Sequence, residues 1–269
     1  MAIVKSIIQM EGSVSGMSFY KRRDSDKVIV RSKGGASKQT IKNSPKFEGF
    51  RLQQNEWKGC TLFASRLRVA FGGLHRIADY NLTPALNAFA KNIQKTDTEN
   101  EQGKREIRFS ALHYTLDGFN FNRNYPFNTV LRVPITAEIN RETLSAKITF
   151  PRINTEYDLL NVQKLPYFRL LVSLGAISNL KLEEKSNTYR PTNETLHSVC
   201  CTHIGAWLPA ENILDKQVIE ISLDEKLILS LTQDVTLIVS VAVEFGKVGF
   251  TGQPQEVKYA GSGKVITCS

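Results

Sequence analysis

The chain has 269 residues, of which 41% are hydrophobic and 23% charged, an ordinary globular composition that excludes intrinsic disorder along its whole length. No stretch approaches the ~20 apolar residues that span a bilayer, and residues 1–10 lack the longer apolar core and cleavage site of a signal peptide. The net charge of +9 lies entirely in the first part of the chain: residues 1–110 contain 20 Lys and Arg against 10 Asp and Glu, and residues 111–269 contain 15 against 16.

These features favour a cytoplasmic protein without membrane contact, whose first part has an electrostatic partner. The four cysteines lack the spacing of a disulfide framework. A disulfide between the adjacent residues Cys200 and Cys201 would have a strained geometry. We therefore expect reduced thiols.

Residues 13–33 are typical of a β-hairpin. Met17 and Phe19, and then Val28 and Val30, alternate with polar residues, and residues 24–26 have the sequence Asp-Ser-Asp that favours a turn. The glycines of the segment 34–37 then predict a flexible break.

Two helices are predicted next. The first begins at Ser44-Pro45 and ends at Gly72-Gly73, with a mostly apolar stripe at helical spacing: Phe47, Phe50, Gln54, Trp57, Ala64, Leu67 and Phe71. The second begins at Thr83-Pro84 and runs into the polar stretch 95–104, which we interpret as an exposed linker or loop.

From about residue 107 the pattern changes to short strands, separated by Gly, Pro, Asn and Asp. The strand-like runs are 129–133, 146–150, 168–174, 196–204, 217–223, 235–243 and 256–266. They predict an antiparallel β-sandwich of the immunoglobulin-like kind, with Trp207 as a candidate core residue and 234–245 as a central strand buried on both faces. The predicted fold class is thus α+β: a basic hairpin-and-helix domain, residues 1–106, followed by a β-sandwich domain, residues 107–269.

The opening of the chain contains GSVSGMSFYKR (12–22), KVIVRSKGG (27–35) and KNSPKFEGFR (42–51), and DGFNFN follows at 117–122. These segments resemble an uncharacterised two-domain family common in Bacteroidota, in which a GSVxG-FYKR hairpin precedes a helix that begins SPxF. The resemblance covers about the first 120 residues. It implies the two-part architecture and an association with mobile or phage-like gene sets, and it provides no activity or catalytic residue.

A group of possible zinc ligands occurs at His197, Cys201 and His203, which would share one face of a strand. Along a strand, His197 and Cys201 would lie about 13 Å apart, too far for a shared ion, and no second segment supplies ligands. We therefore predict a half-buried strand and no metal site.

The basic residues of the first part of the chain indicate a second candidate site, a binding surface. The candidate binding residues are Lys21, Arg22, Arg23, Lys27, Arg31, Lys33, Lys38, Lys42, Arg51 and Lys58. Such a surface binds phosphates through counterion release, and Phe19 and Tyr20 beside it would stack on bases. The basic residues are interspersed with Glu48 and with the apolar stripe, however, and this mixture favours a protein-docking surface.

Sequence motifs of catalysis are absent, including GxSxG, the phosphate-binding loop, HExxH and GxGxxG. We therefore expect a non-enzymatic structural or adaptor protein, without cofactor or small-molecule substrate, that docks or self-assembles through its basic N-terminal part. The alternative is a protein that binds nucleic acid independently of sequence through the same part.

Overall fold

The structure, a computed structural model, describes residues 2–4, 11–21, 27–32 and 34–269, and these belong to two units, Met1–Arg51 and Leu52–Ser269. The predicted hairpin turn at 24–26 lies outside the described residues. The fold class is α+β, with several antiparallel sheets and a minority of helix. None of the helices in these described ranges combines the length and apolarity needed to cross a lipid bilayer.

The N-terminal unit contains a four-stranded antiparallel sheet in the order β1-β4-β3-β2. Its strands are β1 (Ala2–Val4), β2 (Gly12–Val14), β3 (Met17–Lys21) and β4 (Val28–Ser32). The predicted pairing of the hairpin strands is confirmed, because Phe19 lies opposite Val30. Strands β1 and β2 were not predicted, and β2 joins β3 through a tight turn in which Ser15 and Gly16 both have positive φ, as a two-residue hairpin turn requires.

The α-helices among the described residues are α1 (Lys38–Asn43), α2 (Glu48–Ala70), α3 (Leu82–Lys95) and the single turn α4 (Phe127–Val130). Helix α1 was not predicted; the Ser37 hydroxyl caps it by accepting from the Thr40 N–H. Ser44-Pro45 opens a short 3₁₀ turn, and α2 follows from Glu48. The predicted end of α2 is confirmed, since Gly72 and Gly73 turn the chain with positive φ.

The remaining strands belong to the second unit. They are β5 (Thr136–Asn140), β6 (Ser145–Phe150), β7 (Ile153–Asn154), β8 (Tyr167–Ser178), β9 (Leu180–Glu183), β10 (Thr188–Pro191), β11 (Val199–Ile204), β12 (Leu208–Pro209), β13 (Ile213–Leu214), β14 (Gln217–Ser222), β15 (Val235–Val248) and β16 (Pro254–Cys268). The large sheet has the order β11-β8-β15-β16, with β12 beside β8, and a smaller sheet has the order β14-β6-β5.

The large sheet separates two hydrophobic cores, because side chains alternate between the faces of a strand. On β8, Leu170, Val172 and Leu174 pack against the small sheet. Leu171 and Ile177 of the same strand pack with the apolar residues of α2 and α3. The second unit therefore has three layers: helices, large sheet and small sheet.

Strand β15 lies between β8 and β16, and its residues from Val235 to Gly246 are buried. This confirms the prediction of a central strand covered on both faces. The prediction for Trp207 is wrong: its side chain is half-buried outside the two cores, where the Arg169 guanidinium lies 4.2 Å from its ring centre.

The C-terminal end of α2 approaches the large sheet at a stretch of small residues. A Cβ built on Gly175 would lie 1.9 Å from the carbonyl oxygen of Ala70, so only glycine permits this approach. Beside it, the Ser173 hydroxyl donates to the Phe71 carbonyl, and the Thr202 hydroxyl donates to the Gly72 carbonyl. These contacts hold the helix end on the sheet.

The division into units does not coincide with the predicted boundary between residues 106 and 107. Helices α2 and α3 would belong to the first predicted domain, yet from Cys60 onward their apolar faces share one core with the large sheet. The boundary between the observed units falls after Arg51, in the first turn of α2. Burial of the helix stripe by the sheet is the physical reason for the difference.

Candidate functional site

The predicted basic surface is described in part. Arg22, Arg23 and Lys33 lie outside the described residues. Lys21, Lys27, Arg31, Lys38 and Lys42 belong to the N-terminal unit and are exposed. Arg51 ends that unit, and Lys58 lies on α2 in the second unit.

One face of the N-terminal sheet is apolar. Alternation and register place Val14, Met17, Phe19 and Val30 on this face, with Val14 opposite Met17. Val14 is 57% exposed and Met17 46% exposed, whereas Val28 at the β4 end is buried. We call Val14, Met17 and Phe19 the apolar strip. The strip is open at its β2 end, and Lys21 lies on the same face.

The basic residues are spread around this unit. Arg31 lies on the opposite face of the sheet from the apolar strip, and its guanidinium is 5.5 Å from the ring centre of Tyr20. Lys38 and Lys42 share one face of α1, a helix without buried residues. Arg51 donates to the carbonyls of Ile41 and Ser44, both at 2.8 Å, so it stabilises the connection between α1 and α2.

Phe19 and Tyr20 do not form the joint stacking surface that base binding would use. As neighbours in one strand they point to opposite faces of the sheet, and Arg31 lies over the Tyr20 ring. What the structure brings together is a partly open apolar strip in a strongly basic unit: residues 1–51 contain 11 Lys and Arg against 4 Asp and Glu.

The second unit contains a buried ionic cluster that no sequence pattern predicted. Glu56 of α2 is 1% exposed and forms an ion pair with Lys91 of α3. Its other carboxylate oxygen accepts from the Gly103 N–H at 2.8 Å and lies 3.8 Å from Nε of Arg105. A buried carboxylate requires such partners, because an unpaired charge in the interior is strongly destabilising.

Gln94 extends the cluster to the β9–β10 hairpin. Its amide donates to the carbonyls of Glu56 and Arg105 and to the Tyr189 hydroxyl, which itself donates to the Arg105 carbonyl. Cys60 donates to the Gln94 oxygen. Burial raises the pKa of the Cys60 thiol to about 11 and raises that of Tyr189 as well. Both groups stay protonated at neutral pH, so neither is a nucleophile. The hydrogen bonds of the cluster instead connect α2, α3 and β10.

One feature of the sequence could have revealed this cluster: Glu56 is a charged residue at a position where the helical period places the buried face of α2. Phe50 and Trp57 belong to the helical stripe predicted for α2, but that part of the prediction is wrong about the core, because both are 45% exposed. The buried face of α2 instead begins with Glu56, followed by Gly59, Cys60 and Phe63. Gly59 is required there because a Cβ would lie 2.8 Å from the Tyr189 ring.

We predict that Glu56→Ala lowers the free energy of unfolding by about 1–3 kcal/mol, since it removes the charged partner of the half-buried Lys91 and leaves the buried Gly103 N–H without its acceptor. Urea unfolding followed by circular dichroism measures the change. Glu184→Ala is the control: Glu184 forms an exposed ion pair with Lys104, and its loss is expected to cost less than about 0.5 kcal/mol. Equal urea midpoints for the two variants would contradict a stabilising role for the cluster.

The polar stretch 95–104, predicted as an exposed linker or loop, is a mostly exposed loop in which only Asp97 and Gly103 are buried. Hydrogen bonds to carboxylates hold it in place. Asp97 is buried and accepts from the N–H groups of Glu99, Asn100 and Glu106, the last at 2.7 Å. Burial alone raises the pKa of Asp97, but these hydrogen bonds outweigh it and the pKa is lowered. Together with the Gly103 bond to Glu56, they make the stretch part of the packed unit.

The His197, Cys201 and His203 group is not assembled on one strand. Strand β11 begins at Val199, after Ser198 turns the chain with positive φ, so His197 lies outside it. Nδ1 of His197 accepts from the Ser178 N–H at 3.3 Å, and burial together with Arg66 lowers its pKa to about 4. Over residues 2–4, 11–21, 27–32 and 34–269, no group of three or more His, Cys, Asp or Glu is placed to hold a metal ion.

A second ionic cluster lies where β15 and β16 lose their regular register. Glu244 is buried and pairs with Arg169, which also pairs with Glu256, and Glu256 lies 3.7 Å from Arg76. The irregular residues 257–260 line a cavity of about 340 Å³ beside these charges, and Tyr259 has a positive φ. Each of the two carboxylates has an arginine partner, so this arrangement stabilises the irregular strand.

No protein-family model, curated protein or solved structure matches this chain in the three comparisons made.

Proposed function

We propose that this protein is a non-enzymatic structural or adaptor protein, which docks on an acidic protein surface or on a neighbouring copy through its basic N-terminal unit. The observation that carries the proposal is the open end of the apolar strip, Val14 and Met17, in a unit whose net charge is +7. An exposed apolar strip bordered by charge is typical of an interaction surface.

The exposure of the apolar strip supports this proposal. Among the side chains of the N-terminal unit that the structure describes, Val28 and Ile29 are the buried hydrophobic ones, whereas Val14 and Met17 are exposed. A partner that covers Val14 and Met17 adds buried apolar area, which is the main source of stability. Docking would therefore stabilise the unit as well as bind the partner.

Binding to poly-L-glutamate and light scattering after size exclusion test the proposal on the full chain. We expect binding of the acidic polypeptide, or concentration-dependent association, that weakens when Val14 and Met17 are both changed to Ser. Val162→Ser is the matched control, because Val162 is equally exposed in the second unit. The proposal is ruled out if the chain fails to bind poly-L-glutamate at low salt and if any association it shows is unaffected by the change of Val14 and Met17.

Nucleic acid is the other outcome of this test. The full chain would then bind duplex or single-stranded DNA with an affinity that falls steeply with salt and does not change when Val14 and Met17 are replaced. This result would favour sequence-independent nucleic-acid binding. The opposite orientations of Phe19 and Tyr20 are the observation that favours a protein partner.

Three finer expectations remain proposals. An immunoglobulin-like arrangement of the strands is supported by the two antiparallel sheets that share a core. A cytoplasmic location is supported by four cysteines that are all free. Membership of the two-domain Bacteroidota family is supported by the strand pairing of its hairpin motif, and the genes neighbouring this one would test it.

A further inference from the structure

Strand β14 is an open edge of the small sheet. It pairs with β6 on one side, and no hydrogen bond from any other described segment reaches residues 217–222 on the other side. The strand has the sequence QVIEIS, without proline, glycine or an inward-facing charge. Proteins normally protect such an edge, because its free N–H and C=O groups accept a further strand.

A groove lies directly beside this edge. Its volume is about 430 Å³, and it lies between β14 and the adjoining ends of β8, β11 and β12. Leu170, Leu208 and Ile219 contribute to its lining, and Val218 of the edge strand is 46% exposed. An added strand would therefore gain apolar contacts as well as backbone hydrogen bonds.

The edge is complementary to itself. When two copies of β14 pair antiparallel about Val218, Val218 lies opposite Val218 of the second copy. Lys216 then lies opposite Glu220, and the symmetry produces this pair twice. Val218 and Glu220 are exposed on the outward face of the strand, and Lys216, one residue before the strand begins, is exposed as well. Within the chain Glu220 lies 3.6 Å from Lys147 of β6, an exposed pair that leaves its carboxylate accessible to Lys216 of a second copy.

The other edge of the small sheet lacks this property. Strand β5 carries Glu138 as its charged residue, and pairing about its centre would place two Glu138 side chains opposite each other. The free edge of β16 is already covered, since residues 118–121 exchange backbone hydrogen bonds with Gly263 and Val265. Of these three edges, β14 is therefore the one that favours self-pairing.

We infer that two copies of this chain associate through antiparallel pairing of their β14 strands, centred on Val218 and held in register by reciprocal pairs of Lys216 and Glu220. The inference goes beyond the proposed function, because it concerns the second unit and needs no contact of the apolar strip. The small sheets of the two copies join into one six-stranded sheet.

Cysteine cross-linking tests the register. In a background with Cys200 and Cys201 changed to Ser, Val218→Cys is expected to form a disulfide-linked dimer, because directly opposite Cα atoms lie about 4.5–5.5 Å apart. Lys216→Cys or Glu220→Cys alone should give no dimer, since equivalent residues then lie about 13 Å apart. A mixture of the Lys216→Cys and Glu220→Cys chains should cross-link.

Charge exchange tests the pairing by a second route. Sedimentation equilibrium of Lys216→Glu should show dimerisation about tenfold weaker or more, because both ion pairs become repulsive contacts. Lys216→Glu combined with Glu220→Lys should restore it. Lys185→Glu changes the net charge equally at an exposed residue away from β14 and should leave dimerisation unchanged.

The inference is overturned if the full chain sediments as a monomer at high concentration and Val218→Cys stays unlinked. It is also overturned if Glu220→Cys alone cross-links as well as Val218→Cys does. Absence of poly-L-glutamate binding, together with association that is unchanged when Val14 and Met17 are changed to Ser, would refute the proposed function. Intact Val218→Cys cross-linking in the same chain would leave this inference standing.

Discussion

A chain that begins at Ile107 is expected to lose cooperative unfolding, whereas a chain that begins at Leu52 is expected to keep it. The shorter fragment lacks α2 and α3, which cover one face of the large sheet. Among the removed side chains Phe63, Leu67, Phe71, Leu74 and Leu86 are fully buried. At about 1.5–3 kcal/mol each, these five alone contribute about as much as the whole stability of an ordinary domain, about 5–15 kcal/mol.

Near-ultraviolet circular dichroism and urea unfolding of the two fragments measure this difference. The 107–269 fragment should show a broad transition or aggregate, because Leu171, Ile177 and Ile238 lose their cover. The 52–269 fragment should unfold in one sharp transition. A cooperative transition in the 107–269 fragment would show that the boundary predicted at residue 106 is right after all.

Gly175→Ala is expected to lower the free energy of unfolding by about 3 kcal/mol or more. The added methyl group would lie 1.9 Å from the carbonyl oxygen of Ala70, and this backbone atom moves only if the end of α2 leaves the sheet. Urea unfolding measures the loss, and hydrogen exchange of residues near Ala70 should increase as the helix end is displaced.

Gly49→Ala is the matched control for this change. It lies on α2 as well, but a Cβ there meets no atom within 4 Å. The substitution should leave stability unchanged or raise it by up to about 1 kcal/mol. A similar loss in both variants would mean that the close approach at Gly175 is not the cause.

Local signals predicted the elements well. Alternation predicted β3 and β4, and Gly72-Gly73 predicted the end of α2. The nearly continuous apolar run in residues 234–245 predicted the central strand β15. Each of these features depends on side-chain period or backbone freedom, which neighbouring residues determine among themselves.

Predictions of which side chains are buried failed where burial depends on contacts with residues outside the local pattern. Trp57 satisfies the helical period and is exposed, whereas Glu56 is buried because Lys91 and Gly103 provide its partners. The stretch 95–104 has the composition of a linker, yet Asp97 is buried by bonds to residues up to nine positions away. The amino-acid composition and the spacing of apolar residues do not reveal these contacts.

The amino-acid sequence by itself determined that this protein is α+β, with a basic N-terminal part and a strand-rich remainder. Only the tertiary structure decided that α2 and α3 belong to the second unit, since the large sheet, formed by strands far along the chain, buries their apolar faces. It also decided that residues 1–51, which carry an excess of positive charge, form a unit of their own, and that β14 is an open edge of its sheet. Both depend on which strands pair, and pairing over long separations is set by packing of the whole chain.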